Sequence, residues 1–462
     1  MPTPRQGGSP GHAIDPAAPS EGTGPDNAVV QCFSIDASTH RPGDGRRVTQ
    51  VPETTSRRAG AGFGPAIPTV QQHSEGTPVA DSADNPDPKF PPGGGLRGAN
   101  HLKLGTFCMN VSGGMAMTTT DRSSFSVSWE ENRNLAILAD ASGWEFLLPL
   151  GRWKGFGGKT NHNGEQFEVF TWASAISAIT SQISVFATAH VPLFHPVVVA
   201  KEAATIDHVG GGRFGINIVA GWNDNEFAMF GLENDYTNRY ARTKEWLELL
   251  NRLWTAESPF DFDGAYYSGR GLISLPHPVQ HRPMIVCAGM SPQGFEFAAK
   301  NADFMFVAGD LEELREHSRA IRSLAANQDR QVGVLRSAYV VCRDTEKEAR
   351  DYVHRYVDED GDFEAADNLI AQMIGSLEDK NSPTFDPDEW RARQRPLVAG
   401  WGGLPLVGTA EQIVEKLALI SEAGVDGIAL GWVNYEEGMQ QFVDEIQPLM
   451  EKAGLREPRT AG

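Results

Sequence analysis

Short apolar runs alternate with longer amphipathic segments from Leu102 to the end of the chain. Apolar runs of four to eight residues between turns are typical of buried strands, whereas apolar residues at i, i+3, i+4 and i+7 are typical of helices. The pattern predicts eight strands, near 102–108, 144–150, 183–188, 214–219, 283–289, 303–309, 333–343 and 425–432. Helices are predicted between them, among others at 196–209 and 411–424, the second ending in the helix-stop pair Ala423-Gly424.

Strands that alternate with helices predict an α/β fold with a parallel sheet, and eight strands are the number that closes a (β/α)8 TIM barrel. A doubly wound open sheet is the competing fold, but no G-x-G-x-x-G follows the first strand to support it. Two segments match neither the strands nor the helices of the barrel pattern. Residues 260–278 suggest a hairpin or an extended insertion, and residues 358–403 suggest a second long insertion. We therefore predict a barrel with insertions.

The first hundred residues differ in composition from the rest. They hold 15 of the 29 prolines and 15 of the 49 glycines. A segment of this kind buries too little apolar surface to offset the entropy lost on ordering. We predict a disordered tail at 1–100 and one barrel domain at 101–462. The tail is either a dispensable extension or a segment that binds a partner.

Charge and cysteine content narrow the function classes. The net charge of −20 argues against nucleic-acid binding, which needs a basic face. No apolar run reaches the length of a membrane span and the N-terminus lacks a secretory pattern, so we expect a cytoplasmic protein with no membrane partner. The four cysteines are scattered, which predicts neither a zinc site nor a disulfide framework.

In a (β/α)8 barrel, the residues at the carboxyl ends of the strands form the site. The sequence there contains no HExxH, GxSxG or Walker motif and no obvious pair of carboxylates. Asn217 stands in the otherwise apolar run 214–219, and Gly221-Trp222 follows it. A buried amide without a partner costs about 1–3 kcal/mol, so Asn217 is expected to face a ligand. Neutral hydrogen-bonding groups and cations favour an enzyme whose chemistry belongs to an organic cofactor.

Two further stretches suit a phosphate. Ser291 precedes Pro292 at the predicted start of a helix, and a helix N-terminus that faces the barrel mouth binds anions. Simple capping of that helix is the alternative role of Ser291. Arg239 and Tyr240 begin another long helix; the arginine either grips a phosphate or is an exposed structural residue.

Four motifs together carry a family resemblance: GFGGKT at 155–160, the segment 203–231 with its GGRFGINIVAGW core, NRY at 238–240 and CAGMS at 287–291. They resemble the bacterial luciferase-like flavin-dependent monooxygenases, most closely the pyrimidine oxygenase branch. The dimethylsulfone, alkanesulfonate and hexachlorobenzene monooxygenases are similar. The resemblance extends from about Leu102 to Leu455.

The resemblance implies a barrel that binds reduced FMN, which a separate NAD(P)H-dependent flavin reductase supplies. It implies FMN contacts at Asn217, Glu226, Arg239, Tyr240 and Ser291. It also implies that Thr188 and Asn217 are catalytic and hold dioxygen against the flavin, which places the peroxide on ring nitrogen 5.

Two positions depart from the family pattern. Gly151-Arg152 stands where the family has an apolar residue and then a lysine at the edge of the flavin ring, so Arg152 is expected to contact the flavin in place of that lysine. The segment after Thr188 differs from the pyrimidine enzymes and brings His190, which either faces the substrate or is a structural or surface residue.

The sequence thus predicts a two-component FMNH2-dependent monooxygenase, expected to be a homo-oligomer. It would oxygenate or dehalogenate a small electron-poor molecule, such as a pyrimidine, a sulfone or a chlorinated aromatic, in the manner of xenobiotic-degrading enzymes. A flavin-binding or sensing protein and a deazaflavin-dependent dehydrogenase of the same fold are the alternatives. Thr188 and Asn217 favour the enzyme, because a mere flavin binder has no use for an oxygen cradle.

Overall fold

The computed structural model describes residues 95–96, 98–120, 127–233, 237–374 and 385–458. Residues 1–94 of the predicted tail lie outside this part of the chain. The strands are β1 Lys103–Phe107, β2 Phe146–Leu148, β3 Ser184–His190, β4 Phe214–Val219, β5 Phe260–Asp263, β6 Ser268–Leu272, β7 Met284–Cys287, β8 Phe304–Phe306, β9 Gly333–Cys342, β10 Leu404–Gly408 and β11 Gly427–Gly431.

Eight of these strands close into a parallel barrel in the order β1-β2-β3-β4-β7-β8-β9-β11. The ring closes where β11 pairs with β1, with Lys103 opposite Gly427. Each of the eight strands overlaps a segment that the apolar pattern predicts, and β3 extends two residues past its predicted end, to His190. The (β/α)8 barrel is confirmed, and the open-sheet alternative is wrong.

The helices of the described residues are α1 Trp129–Ala141, α2 Val169–Ile179, α3 Pro196–Val209, α4 Asp224–Met229, α5 Arg239–Thr255, α6 Pro292–Asn301, α7 Leu311–Ala326, α8 Glu346–Val353, α9 Phe363–Ile374, α10 Pro387–Gly400, α11 Ala410–Glu422, α12 Tyr435–Gln441 and α13 Gln447–Lys452. Short 3-10 and π segments lie at Val191–Leu193, His354–Glu359 and Phe442–Ile446. In the described part of the chain, no helix combines the length and the apolar character that a membrane crossing requires.

Apolar side chains fill the barrel below its carboxyl end. The buried cluster there consists of Leu96, Phe146, Leu148, Phe186, Met284, Val286, Leu335 and Ala429. Leu96 is 1 % exposed, and its backbone N–H donates to Ser184 Oγ over 3.4 Å. Leu96 lies within the predicted tail but packs in the core, so the ordered domain includes residues before position 100. A filled lower barrel leaves the carboxyl ends of the strands as the place for a ligand.

The two predicted insertions have different structures. Residues 260–278 contain the antiparallel hairpin β5–β6, as predicted. The segment 358–403 contributes α9 and α10, which share a second apolar cluster with the loop after β1. At the end of α10, Trp401 adopts a left-handed conformation with φ of 55°. This insertion covers part of the carboxyl end of the barrel.

Candidate active site

A cavity of about 280 Å³ opens at the carboxyl ends of the barrel strands. Its walls include six of the seven residues that are expected to be catalytic or to contact the flavin, namely Arg152, Thr188, Asn217, Arg239, Tyr240 and Ser291. The seventh, Glu226, is fully buried behind the wall and does not line the cavity. The barrel therefore brings together residues that are up to about 140 positions apart in the chain.

Thr188 and Asn217 form a hydrogen-bonded pair on neighbouring strands. They are opposite each other in the β3–β4 register, and Asn217 Nδ2 donates to Thr188 Oγ1 over 3.2 Å. The Thr188 hydroxyl in turn donates to the Pro149 carbonyl over 2.6 Å. Asn217 Oδ1 is buried and has no hydrogen-bond partner among the described residues. An acceptor left in this state predicts a ligand that donates to it.

Gly221 shapes the chain just after this pair. Its φ is +108°, a conformation that side-chain-bearing residues rarely adopt. The turn places the Trp222 ring 5.3 Å from the Arg152 guanidinium carbon. The glycine at the exit of β4 is therefore required by backbone geometry, and the tryptophan becomes part of the cavity wall.

The start of α6 forms another side of the cavity. Ser291 Oγ accepts from the Gly294 N–H over 3.2 Å, so the predicted capping is present. Ser291 also hydrogen-bonds with the Tyr240 side chain and lines the cavity. Tyr240 packs closely against Gly289. A Cβ at position 289 would collide with the Tyr240 hydroxyl. The Arg239 guanidinium lies 5.5 Å from the Tyr240 ring centroid.

Arg152 and Glu226 form a buried ion pair with Nη2 and Oε1 3.1 Å apart. The same Oε1 accepts from the backbone N–H groups of Trp153 and Lys154, at 2.6 and 3.2 Å. Burial lowers the pKa of Arg152 to about 10, so the guanidinium is charged at neutral pH. Burial raises the pKa of Glu226, and Arg152 opposes that shift. Arg152 thus lies in the wall and Glu226 holds it from behind, while its contact with the flavin stays a prediction.

His190, the last residue of β3, lines the cavity and is 5 % exposed. Burial, helped by the charge of Arg152, lowers the pKa of His190 to about 3, so the imidazole is neutral at physiological pH. Burial also raises the pKa of Cys287 in the wall to about 11, which keeps its thiol protonated. Among the described residues, no carboxylate lines the cavity and no cluster of side chains is suited to a metal ion.

Sequence reasoning missed several wall residues, among them Arg336, Ser337 and Trp401. Arg336 on β9 is buried and donates to the Gly402 carbonyl over 2.7 Å, while Ser337 accepts from its Nη1. Trp401 comes from the second insertion, and its indole N–H donates to His162 Nε2 over 2.8 Å. The charged Arg-Ser step inside an apolar strand and the tryptophan among glycines at 400–403 were the available signs.

Comparisons with known proteins agree with this geometry. The family model described as luciferase-like monooxygenase matches residues 102–427. The chain is 30 % identical over 357 residues to the pyrimidine monooxygenase RutA of Acinetobacter baylyi, covering 76 % of this chain and 95 % of that protein. It is 31 % identical over 372 residues to the FMNH2-dependent dimethylsulfone monooxygenase of Pseudomonas fluorescens, covering 78 % and 98 %.

The crystal structure of DmoA from Hyphomicrobium sulfonivorans has the same fold, with a TM-score of 0.70 at 20 % identity, and covers 78 % of this chain and 90 % of its own. The two curated relatives act on different substrates at nearly equal identity, so identity alone does not select between them. The family model spans well over half of the chain and the cavity lies within the matched region. The protein therefore belongs to the luciferase-like monooxygenase family.

Proposed function

We propose that the protein is a reduced-FMN-dependent monooxygenase that acts on a small, electron-poor organic molecule. The observation that carries the proposal is the Thr188–Asn217 pair, which lies in one cavity with the start of α6. The FMNH2 dependence named for the dimethylsulfone relative supports the choice of cofactor. A luciferase-like monooxygenase needs such a cofactor, because its own side chains carry no redox group.

The residues of the cavity fit FMN by type and position. Ser291, Tyr240 and Arg239 offer a helix N-terminus, two hydroxyl groups and a guanidinium, which together suit a phosphate. Asn217 Oδ1, buried without a described partner, suits an N–H of the flavin ring. Arg152 offers a cation at the wall beside Trp222. We propose these residues as the cofactor contacts, with Glu226 acting on the cofactor through Arg152.

Bound reduced FMN supplies the electrons that activate dioxygen. Thr188 and Asn217, two neutral groups that are already hydrogen-bonded to each other, would orient the oxygen beside the ring. No described carboxylate lines the cavity. His190 and Cys287 do not donate protons readily at neutral pH, because burial lowers the pKa of the imidazole and raises that of the thiol. The neutral imidazole has no proton to spare as an acid, and the thiol holds its proton tightly. The wall would therefore offer few protons to oxygen held beside the cofactor.

A flavin reductase is the proposed partner. The dimethylsulfone relative is named as FMNH2-dependent, and an enzyme that uses FMNH2 needs a source of reduced FMN, which we propose is a separate NAD(P)H-dependent protein. The proposed substrates are a pyrimidine, a sulfone or a chlorinated aromatic, since each has a carbon poor in electrons. The aromatic walls at Trp222, Trp401 and Phe306 suit a flat or apolar molecule.

Aerobic turnover tests the proposal. The protein is incubated with a flavin reductase, NADH, FMN and, in separate reactions, uracil, dimethylsulfone or a polychlorinated benzene, and products are identified by mass spectrometry. An oxygenated or dehalogenated product that gains label from 18O2 is the expected result. Parallel reactions with reduced deazaflavin and an alcohol test the dehydrogenase alternative. Flavin binding with no oxygen transfer to a wider substrate panel would favour the sensing alternative and overturn the proposal.

A further inference from the structure

Glu226 has one oxygen that its known contacts do not use. Oε1 holds Arg152 and two backbone N–H groups, whereas Oε2 is buried and has no hydrogen-bond partner among the described residues. His190 Nδ1 lies 3.9 Å from Oε2. The gap is somewhat longer than a hydrogen bond, and a small side-chain movement would bring the two atoms within hydrogen-bond distance. The unused oxygen and the imidazole nitrogen are thus near neighbours.

The charges around His190 decide which of its nitrogens carries the proton. Arg152 and Glu226 neutralise each other, and a cationic imidazole next to Arg152 would bring two positive charges together in a buried place. In the neutral ring, a bare Nδ1 would turn its lone pair toward the carboxylate. A protonated Nδ1 instead donates to Oε2, which satisfies a buried acceptor. The Nδ1–H tautomer is therefore favoured, and Nε2 is left as an acceptor.

We propose that Glu226 fixes His190 in the Nδ1–H tautomer so that Nε2 accepts a hydrogen bond from an N–H or O–H of the molecule bound in the cavity. The inference rests on the proposed function, because the bound molecule is either the reduced flavin or the substrate. His190 is thus a binding residue, and Glu226 is a positioning residue with two tasks. Its Oε1 holds Arg152 and its Oε2 orients His190.

The tautomer is measured directly by nitrogen NMR of the full-length protein labelled with 15N-histidine. The chain has 12 histidines, and the His190 signals are those that disappear in His190→Gln. We expect a protonated Nδ1 and a bare Nε2 across the neutral range. A bare Nδ1 in the wild-type protein would overturn the proposal whether or not the protein is an oxygenase.

Glu226→Gln gives a sharper test. The backbone N–H groups of Trp153 and Lys154 favour an oxygen at the Oε1 position, so the new NH2 group takes the place of Oε2. That group donates to Nδ1, and the His190 proton is expected to move to Nε2. An unchanged tautomer in a folded Glu226→Gln protein would show that Glu226 does not set it. Glu226→Gln also perturbs Arg152. The tautomer measured in the wild-type protein is therefore a separate test that does not depend on this variant.

Substitutions at His190 then identify what Nε2 binds. The amide of glutamine reaches the place of Nε2, that of asparagine reaches only the place of Nδ1, and phenylalanine removes both polar atoms. If the flavin is the donor, His190→Phe and His190→Asn weaken binding of reduced FMN up to about tenfold without any substrate, as expected for one hydrogen bond, and His190→Gln restores it. If the substrate is the donor, flavin affinity is unchanged and KM rises by a similar factor.

His101→Gln, at an exposed position outside the cavity, is the matched control. Equal FMN affinity and equal KM in His190→Phe and wild type would refute the acceptor role. If the wild-type protein binds FMN but shows no turnover, the result counts against the proposed function alone. The tautomer and the flavin affinities are measured without catalysis.

Discussion

At the scale of single residues, the site depends on neutral groups that are held by their neighbours. The Thr188 hydroxyl donates to a backbone carbonyl and accepts from Asn217, which leaves little freedom for its proton. The unused acceptor of Asn217 explains why an apolar strand keeps an amide at this point. A leucine at 217 would pack without a polar cost, so we propose that the amide is kept for a ligand.

Replacement of Thr188 by valine keeps its shape and removes the hydroxyl. We expect Thr188→Val to bind reduced FMN normally but to divert NADH consumption into hydrogen peroxide, with product yield lowered by tenfold or more. Asn217→Leu is expected to do the same and also to weaken flavin binding. Peroxide and product are measured side by side, with the exposed Thr205→Val as control. Full coupling in Thr188→Val would place the oxygen site elsewhere.

His190 predicts a dependence of stability on pH. Its pKa is about 3 in the folded protein against an ordinary value of 6.5, so between these limits the unfolded chain binds more protons. The contribution of neutral His190 to the free energy of unfolding is therefore fully present above about pH 6.5. It is lost as pH falls, by up to about 1.4 kcal/mol per pH unit. The thermal unfolding midpoint should fall less between about pH 7 and pH 5 in His190→Gln than in wild type. Parallel pH curves would contradict the shifted pKa.

At the scale of elements, helix starts and strand ends build the site. The sequence predicts α6 to begin at Pro292 with Ser291 as its cap, and both are correct, because capping is a local property of the chain. The Arg152–Glu226 ion pair was not predictable: the two residues are 74 positions apart, and each taken singly suggested a flavin contact. The wall formed by Trp401 escaped prediction because α9 and α10 lie in a segment with no barrel-like pattern.

Arg239 at the start of α5 is expected to contact the phosphate. Arg239→Ala should then weaken FMN by about tenfold to a hundredfold and riboflavin much less, since a hydrogen bond to a charged group contributes about 1.5–3 kcal/mol. Affinities for both ligands are measured by fluorescence titration. Lys244→Ala, an exposed cation of the same helix, controls for net charge. Equal losses for the two ligands would remove Arg239 from the phosphate site.

At the scale of the whole molecule, the apolar pattern predicted the barrel correctly because each strand is buried by its own helices. The composition placed the domain boundary after residue 100, which leaves Leu96 in the tail, since Leu96 is a single apolar residue in a Pro/Gly-rich context. Periodicity cannot assign one isolated side chain to a core. That leucine nevertheless belongs to a buried cluster with residues from five strands of the barrel.

A shortened chain tests the boundary. A protein that starts at Gly94 should fold and bind FMN like the full chain, whereas one that starts at His101 should be less stable, because loss of a buried leucine costs about 2–5 kcal/mol. Leu96→Ala in the full chain should reproduce most of that loss. Thermal unfolding and flavin titration are measured for each protein. If the Gly94 start loses flavin, the residues before it contribute to binding.

The pairing of β1 with β11 has a consequence for biosynthesis. Lys103 and Gly427 are more than 300 residues apart, and ribosomes deliver about 5–20 residues per second, so roughly 15 to 60 s separate the emergence of the two strands. During that interval one edge of β1 has no partner and the ring is open. The growing chain therefore exposes an unpaired strand edge, which can pair with other chains and aggregate. Chaperones shield edges of this kind. The emergence of β11 turns that open sheet into a protected barrel.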